Sequence, residues 1–494
     1  MKLCTFLRGI LLVLLWPTLS NAQSLDGTWM GTLKTNGFDL EVYLKFKSKS
    51  LSSNAAVVSY TCRIDVPMQR LKNHPASSTE IKGKKLLIAF QEFDAELKGK
   101  LSDTNKIEGI WKQGSRSLPL QLTKLWGNWD VPKPQTPVAP YPYRSQQVSF
   151  SDAEGMIRFG GTFTIPDSTK FKAPYPTVIL FTGSGTQDRD ETIGKHKPFA
   201  VIAHALTQQG YSVLRIDDRG IGATATNPSK LKYTTQDLIE DGILFVDFAK
   251  KQPWVQTQQI FLMGHSEGGS VALGVGIAKP EIAGIIGLAP MVASGLETNI
   301  YQNKWSLLKQ GMDSATFEVY AKLHRKIVFK GLSLPDSLPY SAFESQLPQL
   351  IEEWEHEIPS KLVKKVKSIF KKISKEPFQE VLAETFEPLI EQPWFRQFLT
   401  LDLCKDMAKL NRNIPYTVIQ GSLDKQIEAN ASRRLIQEMN AKGYTELTYK
   451  EFAGLNHLLQ HCKTGDVGEY FSNSETISPE VLNAIIQTLN GWQK

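Results

Sequence analysis

The chain has 494 residues, too many for one compact domain and suited to two or three. Hydrophobic residues make up 41% of it and charged residues 22%, which excludes a fibrous, collagen-like or wholly disordered chain. Its 57 Lys and Arg against 50 Asp and Glu leave a net charge of +7, too dilute over so large a surface for a nucleic-acid-binding stripe.

At the start, Lys2 and Arg8 precede the apolar run Gly9 to Trp16, and Pro17 breaks it before the small residues of Ser20-Asn-Ala22. This order predicts a secretory signal peptide over residues 1–22, cut before Gln23, and an exported chain, periplasmic or extracellular. The run is too short to span a bilayer, and Cys4 has no small-residue motif ahead of it, which argues against a lipoprotein anchor. Cys62, Cys404 and Cys462 remain, an odd number in a compartment where disulfides form. A Cys404–Cys462 bridge and three idle thiols are both compatible with that count. No Cys/His cluster suggests a metal site.

Residues 23–126 read as a small all-β barrel or sandwich. In Phe38 to Phe46, Phe38, Leu40, Val42, Leu44 and Phe46 share one face while Asp39, Glu41 and Lys45 share the other, a period of two. Further candidate strands are Gly27–Lys34, Ala56–Asp65, Lys85–Phe90, Ala95–Ser102, Ile107–Gln113 and Leu118–Thr123, about seven in all. A proline-rich linker follows over 127–144, where Val131 to Pro142 places five prolines in twelve residues.

From 145 to 494, strands alternate with helix-length segments, the pattern of a mostly parallel sheet covered on both faces. Eight strands are expected: Gln147–Phe150, Gly161–Ile165, Thr177–Phe181, Ser212–Ile216, Gln259–Met263, Ile282–Leu288, Tyr416–Ile419 and Leu447–Phe452. The stretch from about 291 to 413 has helical periodicity without a strand and is expected to form a cap.

The fifth strand runs into Gly264-His-Ser-Glu-Gly268, followed by a small-residue helical stretch. Gly-x-Ser-x-Gly between strand and helix puts the serine on a sharp, strained turn, and the glycines admit close chain approach, so Ser266 is the nucleophile candidate. A serine hydroxyl needs a base held by a carboxylate, in chain order Ser, acid, His. Gln420-Gly-Ser-Leu-Asp424 follows strand seven and Ala453-Gly-Leu-Asn-His457 follows strand eight. Both loops lie at carboxyl ends of strands, where open α/β sheets build their sites. Asp424 and His457 complete the triad, with Glu428 and His461 as weaker alternatives and His265 assigned to packing. The oxyanion donors are the backbone N–H of Glu267 and that of Ser184, with Gly185 beside it, in the glycine-rich loop after strand three.

These motifs, together with Gly183-Ser-Gly-Thr-Gln-Asp-Arg-Asp-Glu191 and Asp217-Asp-Arg-Gly-Ile-Gly222, resemble those of an α/β-hydrolase of the serine aminopeptidase-like group, close to the bacterial esterase D-like esterases. The resemblance runs from about Ser145 to Gln493. It implies the α/β-hydrolase fold and carboxylester hydrolysis through an acyl-enzyme, without metal or cofactor, on a small-molecule ester. The front β-module resembles segments that precede such hydrolases in exported bacterial proteins. The same triad would serve an aminopeptidase or other amide hydrolase, whose substrate ammonium the cluster Asp188 to Glu191 could pair. A surface glycan- or lipid-binding protein is a further alternative, against which an intact triad counts. Scaffolding is the favoured reading of the Asp188 and Asp217 clusters.

Within the cap, Ser360 to Ile373 predicts an amphipathic helix, with Ser360 as N-cap and Leu362, Val366, Ile369, Phe370 and Ile373 on one face. Six lysines cover the rest, so packing over the site and contact with an anionic membrane surface are both open to it.

Overall fold

The computed structural model describes residues 25–34, 39–49, 59–66, 71–103, 106–114, 116–124, 133–335, 338–374 and 376–493. The segment read as a signal peptide, Phe38 and the first part of the proline-rich stretch lie outside the described residues. Two compact units divide the chain, with the main boundary between Trp126 and Gly127.

The first unit is a nine-stranded antiparallel sheet. Its core is one apolar face: Trp29, Leu40, Val42, Leu44 and Phe46, with Ile64, Ile88, Phe90, Leu97, Ile107 and Leu122, are all buried. Two strands beyond the seven expected ones are present, Leu71–Pro75 and Ser78–Lys82. Each carries a single aliphatic residue and so shows no alternation to read. They occupy the two ends of the sheet. Only Ala76 and Ser77 separate them, and these donate to Cys62 O (2.9 Å) and Ala89 O (2.8 Å), each extending the pairing of one end strand with its inner neighbour.

In the second unit the main sheet runs Arg144–Ser151, Ile157–Ile165, Ser212–Ile216, Tyr175–Phe181, Val255–His265, Gly284–Leu288, Tyr416–Gly421 and Leu447–Phe452. The first two strands pair antiparallel and the last six are parallel to one another. All eight expected strands are present, which is the α/β-hydrolase architecture. Alternate residues of the central strand feed two cores: Ile260 and Leu262 on one face, Phe261 and Met263 on the other. The first face is covered by helices Thr235–Lys250 and Glu267–Ala278, the second by Pro198–Thr207 and Pro479–Trp492.

Among the described residues, eight helices, from Gly295–Lys309 to Leu403–Met407, lie between the strands Gly284–Leu288 and Tyr416–Gly421. They pack around Tyr320, Leu323, Phe343, Trp354 and Phe386, and the Trp354 indole donates to Val319 O at 2.9 Å. The basic helix Ser360–Ile373 turns a slightly different face inward than its sequence suggests. Val363, Val366, Ile369 and Phe370 are buried, while Leu362 and Ile373 are half-buried. Ser360 is the first helical residue and Pro359 takes the N-cap position without a side-chain bond. Proline's fixed φ sets the chain entry that a capping serine would otherwise set. Cys62, Cys404 and Cys462 are free thiols, so no Cys404–Cys462 bridge forms.

The stretch leading into the second unit is tied to it by side chains. Lys133 Nζ donates to Phe471 O (3.2 Å) and Asn473 O, and Gln135 accepts from the Thr476 and Ile477 N–H groups (2.6 and 3.2 Å) while donating to Ile477 O (2.7 Å). Loss of these bonds strands backbone donors. Gln135→Ala should therefore cost about 1–3 kcal/mol, read as a lower denaturation midpoint with an unchanged denaturant slope.

Candidate active site

Ser266 sits between the strand Val255–His265 and the helix Glu267–Ala278 with φ 54° and ψ −120°. Two contacts explain why its neighbours are glycines: a Cβ on Gly264 would stand 1.9 Å from Gly268 O, and one on Gly268 would stand 2.2 Å from Phe181 O. The elbow is fixed further by Ser266 N–H donating to Leu288 O (2.9 Å). Ser266 itself remains partly exposed.

The loops of Asp424 and His457 bring the two side chains together: His457 Nδ1 lies 2.8 Å from Asp424 Oδ2, with both side chains buried. The carboxylate has no freedom to turn. Oδ1 accepts from the Gln426 and Ile427 N–H groups (2.8 Å each), and Oδ2 also accepts from Gln420 Nε2 (2.7 Å). With Nδ1 engaged, Nε2 is the imidazole nitrogen left for proton transfer. The two alternatives are occupied elsewhere: His461 pairs with Glu475 (2.9 Å) on an exposed side chain, and Glu428 pairs with Arg434 (3.3 Å).

The loop after Tyr175–Phe181 carries the candidate oxyanion donors. Gly183 N–H is taken by Glu191 Oε1 at 2.7 Å, so the next N–H groups along, on Ser184 and Gly185, are the ones available to a substrate. Gly185 has φ 83°, a turn that glycine makes without penalty. Glu267 N–H opens its helix, ahead of any intrahelical acceptor, and the helix dipole adds to its pull on an anion. Asp218 holds the loop in place by accepting from Thr182 Oγ1 (3.0 Å) and Gln187 N–H (2.6 Å). Arg189 forks onto Asp217 (Nε 3.0 Å, Nη2 2.6 Å), and Asp217 also accepts from Ala223 N–H. Both acidic clusters are thus scaffolding.

Contacts from three places carry no signal in a single sequence. Glu191, buried and with φ 52°, accepts from Gly183 N–H and bonds His265 Nδ1 at 2.8 Å through the same oxygen. His265 Nε2 reaches His457 O at 3.0 Å, and the two imidazole rings lie 4.7 Å apart. His265 therefore joins the oxyanion loop, the elbow and the histidine loop instead of merely packing. Burial opposes its charge, but the Glu191 carboxylate outweighs burial and raises its pKa above the ordinary 6.5. The other two contacts come from the cap: Tyr301 O–H donates to Asp424 O (2.9 Å), and Trp394 Nε1 donates to the buried Glu267 carboxyl (2.9 Å).

Residues 193–461 match the family model described as serine aminopeptidase, S33. The chain belongs to this family. The matched span contains Ser266, Asp424 and His457. Among curated relatives, esterase EstD of Thermotoga maritima is 33% identical over 175 residues, which is 34% of this chain and 39% of that protein. Monoglyceride lipase of Saccharomyces cerevisiae is 28% identical over 162 residues, 31% of this chain and 49% of that protein. The chain thus spans less than half the length of either. An esterase of Pyrococcus furiosus matches as a solved structure with a TM-score of 0.40 at 15% identity, covering 75% of this chain and 96% of that one.

The His265 bond has a pH signature in this hydrolase. Because its pKa is raised on folding, its stabilisation is fully present below about pH 6.5 and is lost as pH rises through the raised value. Glu191→Gln should be less stable than the parent by a margin that is widest between about pH 5 and 6.5 and narrows above. Denaturation midpoints from about pH 5 to about pH 9 test this, and a margin that stays constant over the whole span would mean that His265 is neutral.

Proposed function

We propose that the protein is an exported serine hydrolase that cleaves carboxylic esters through an acyl-enzyme on Ser266. The observation that carries this reading is the buried Asp424–His457 bond, together with a strained serine at the strand-to-helix elbow whose neighbour His265 bonds the His457 backbone carbonyl. In the reaction, Ser266 Oγ attacks the ester carbonyl carbon while His457 Nε2 takes its proton. Asp424 holds the imidazole in the tautomer that accepts there and stabilises the imidazolium. The Glu267 and Ser184 N–H groups receive the oxyanion, with Gly185 beside them. Collapse breaks the bond to the alcohol, which leaves with the proton from His457. Water then repeats the sequence on the acyl-enzyme, releasing the acid and restoring Ser266.

Support for ester over aminopeptide substrates comes from the carboxylates that an ammonium would need. Asp190 is paired with Arg215 and Lys197, Glu191 with His265, and Asp188 accepts from the Asp190 and Thr192 N–H groups (3.0 Å each). The names of the two curated relatives, an esterase and a monoglyceride lipase, point the same way. In the basic cap helix the apolar stripe is buried, so a membrane-surface role would rest on Lys361, Lys364, Lys371 and Lys372, which are exposed, since Lys365 and Lys367 pair with Asp313 and Glu355.

Turnover of p-nitrophenyl esters beside aminoacyl nitroanilides tests the reading. Ester hydrolysis without anilide hydrolysis is expected. Ser266→Ala should lose on the order of a millionfold in kcat and Asp424→Asn roughly ten-thousandfold, while His461→Ala stays near the parent. Appreciable esterase activity in Ser266→Ala would overturn it.

A further inference from the structure

A cavity of about 240 Å³ lies against the oxyanion loop. Gly185, Leu231 and Leu238 line it together with Pro393 and Trp394 of the cap helix Pro393–Thr400, and Lys232, Glu391 and Gln392 add polar side chains to the lining. None of the lining comes from the loops of Asp424 or His457. This placement separates the two halves of an ester. The alcohol must leave on the side of His457, which protonates it, so the group that extends away from His457 past Gly185 is the acyl group.

What closes the cavity is held with unusual firmness. The Glu267 carboxyl, 1% exposed and one residue beyond Ser266, accepts from Trp394 Nε1 (2.9 Å and 3.2 Å to its two oxygens) and from Thr235 Oγ1 (2.5 Å), and the Ser184 hydroxyl bonds it as well. Trp394 also packs on Phe398 of its own helix at 5.4 Å between ring centroids. The indole is therefore fixed at both edges, by a buried polar group on one side and by the cap's apolar core on the other. A buried carboxyl that loses a donor pays in full for the missing bond, which makes this contact a strong determinant of where the cap helix sits.

We propose that Trp394 is the specificity-determining residue of the site: hooked to Glu267, it forms the end wall of an acyl pocket and limits the acyl group to an aromatic ring or a medium-length chain. An engineered cavity of about 150 Å³ holds a benzene ring, so this one, apolar along Leu231, Leu238 and Trp394 and polar elsewhere, has room for a substituted ring or a few more methylenes. The proposal rests on the ester-hydrolase reading above and goes beyond it by assigning the pocket and the residue that sizes it.

The test is the ratio of kcat/KM for p-nitrophenyl dodecanoate to that for the acetate, measured on the full chain and three variants. Trp394→Ala opens the end wall and should raise the ratio about tenfold or more, since a few methylenes in an apolar pocket change discrimination by that order. Leu231→Trp, at a lining position 46% exposed, fills part of the cavity and should lower the ratio by a similar factor. Trp394→Phe keeps a ring but removes the donor, so KM for a hexanoate ester should rise about tenfold with a smaller change in kcat. Ratios and KM values that match the parent in all three would overturn the proposal while leaving the hydrolase reading intact. Failure of the hydrolase reading looks different: the parent itself would turn over no ester, or Ser266→Ala would match it.

Discussion

A serine at φ 54° and ψ −120° holds a conformation that costs an L-residue about 1–3 kcal/mol, and the whole site depends on that cost being met by its surroundings. Gly264 and Gly268 make the turn sterically available, and hydrogen bonds to Leu288 O from Ser266 and to Ser266 O from Gly269 lock it. The result lifts Ser266 out of the strand and starts a helix at Glu267, so one bend presents both the nucleophile and an N–H for the oxyanion. Parallel strands on both sides of Val255–His265 then bring the loops of the acid and the histidine to the same edge.

Loops positioned by strand ends are not thereby rigid, and the buried polar bonds supply that rigidity. Glu191 and His265 connect the oxyanion loop to the backbone of His457, while four donors surround the Asp424 carboxylate. The cap adds a bond on each flank, from Tyr301 beside the acid and from Trp394 beside the nucleophile. Each of these groups is costly to leave unpaired in a water-poor interior, so removing one partner leaves a buried polar group unsatisfied.

The parallel sheet and the elbow were legible because both rest on local rules: apolar runs for doubly covered strands, and glycines where a side chain would collide. Asp424 and His457 followed from chain order and strand ends. Leu71–Pro75 and Ser78–Lys82 were not legible, since each has one aliphatic residue and joins the sheet only by pairing at one of its ends. The inward face of Ser360–Ile373 differed because Val363 faces the packed interior of the cap while Leu362 stays at its rim. Glu191 beside His265, and Trp394 beside Glu267, lie 74 and 127 residues apart in sequence. Only the folded chain brings such pairs together, and no periodicity announces them.

The central claim is that Ser266, activated by His457, becomes covalently acylated. Labelling with a fluorophosphonate, followed by peptide mass spectrometry, addresses it most directly, because the reagent traps an activated serine without requiring knowledge of the substrate. The expected result is one adduct on the peptide containing Ser266, formed rapidly by the parent and lost when His457 is replaced by Ala. No adduct at Ser266, or labelling that persists unchanged without His457, would contradict the account.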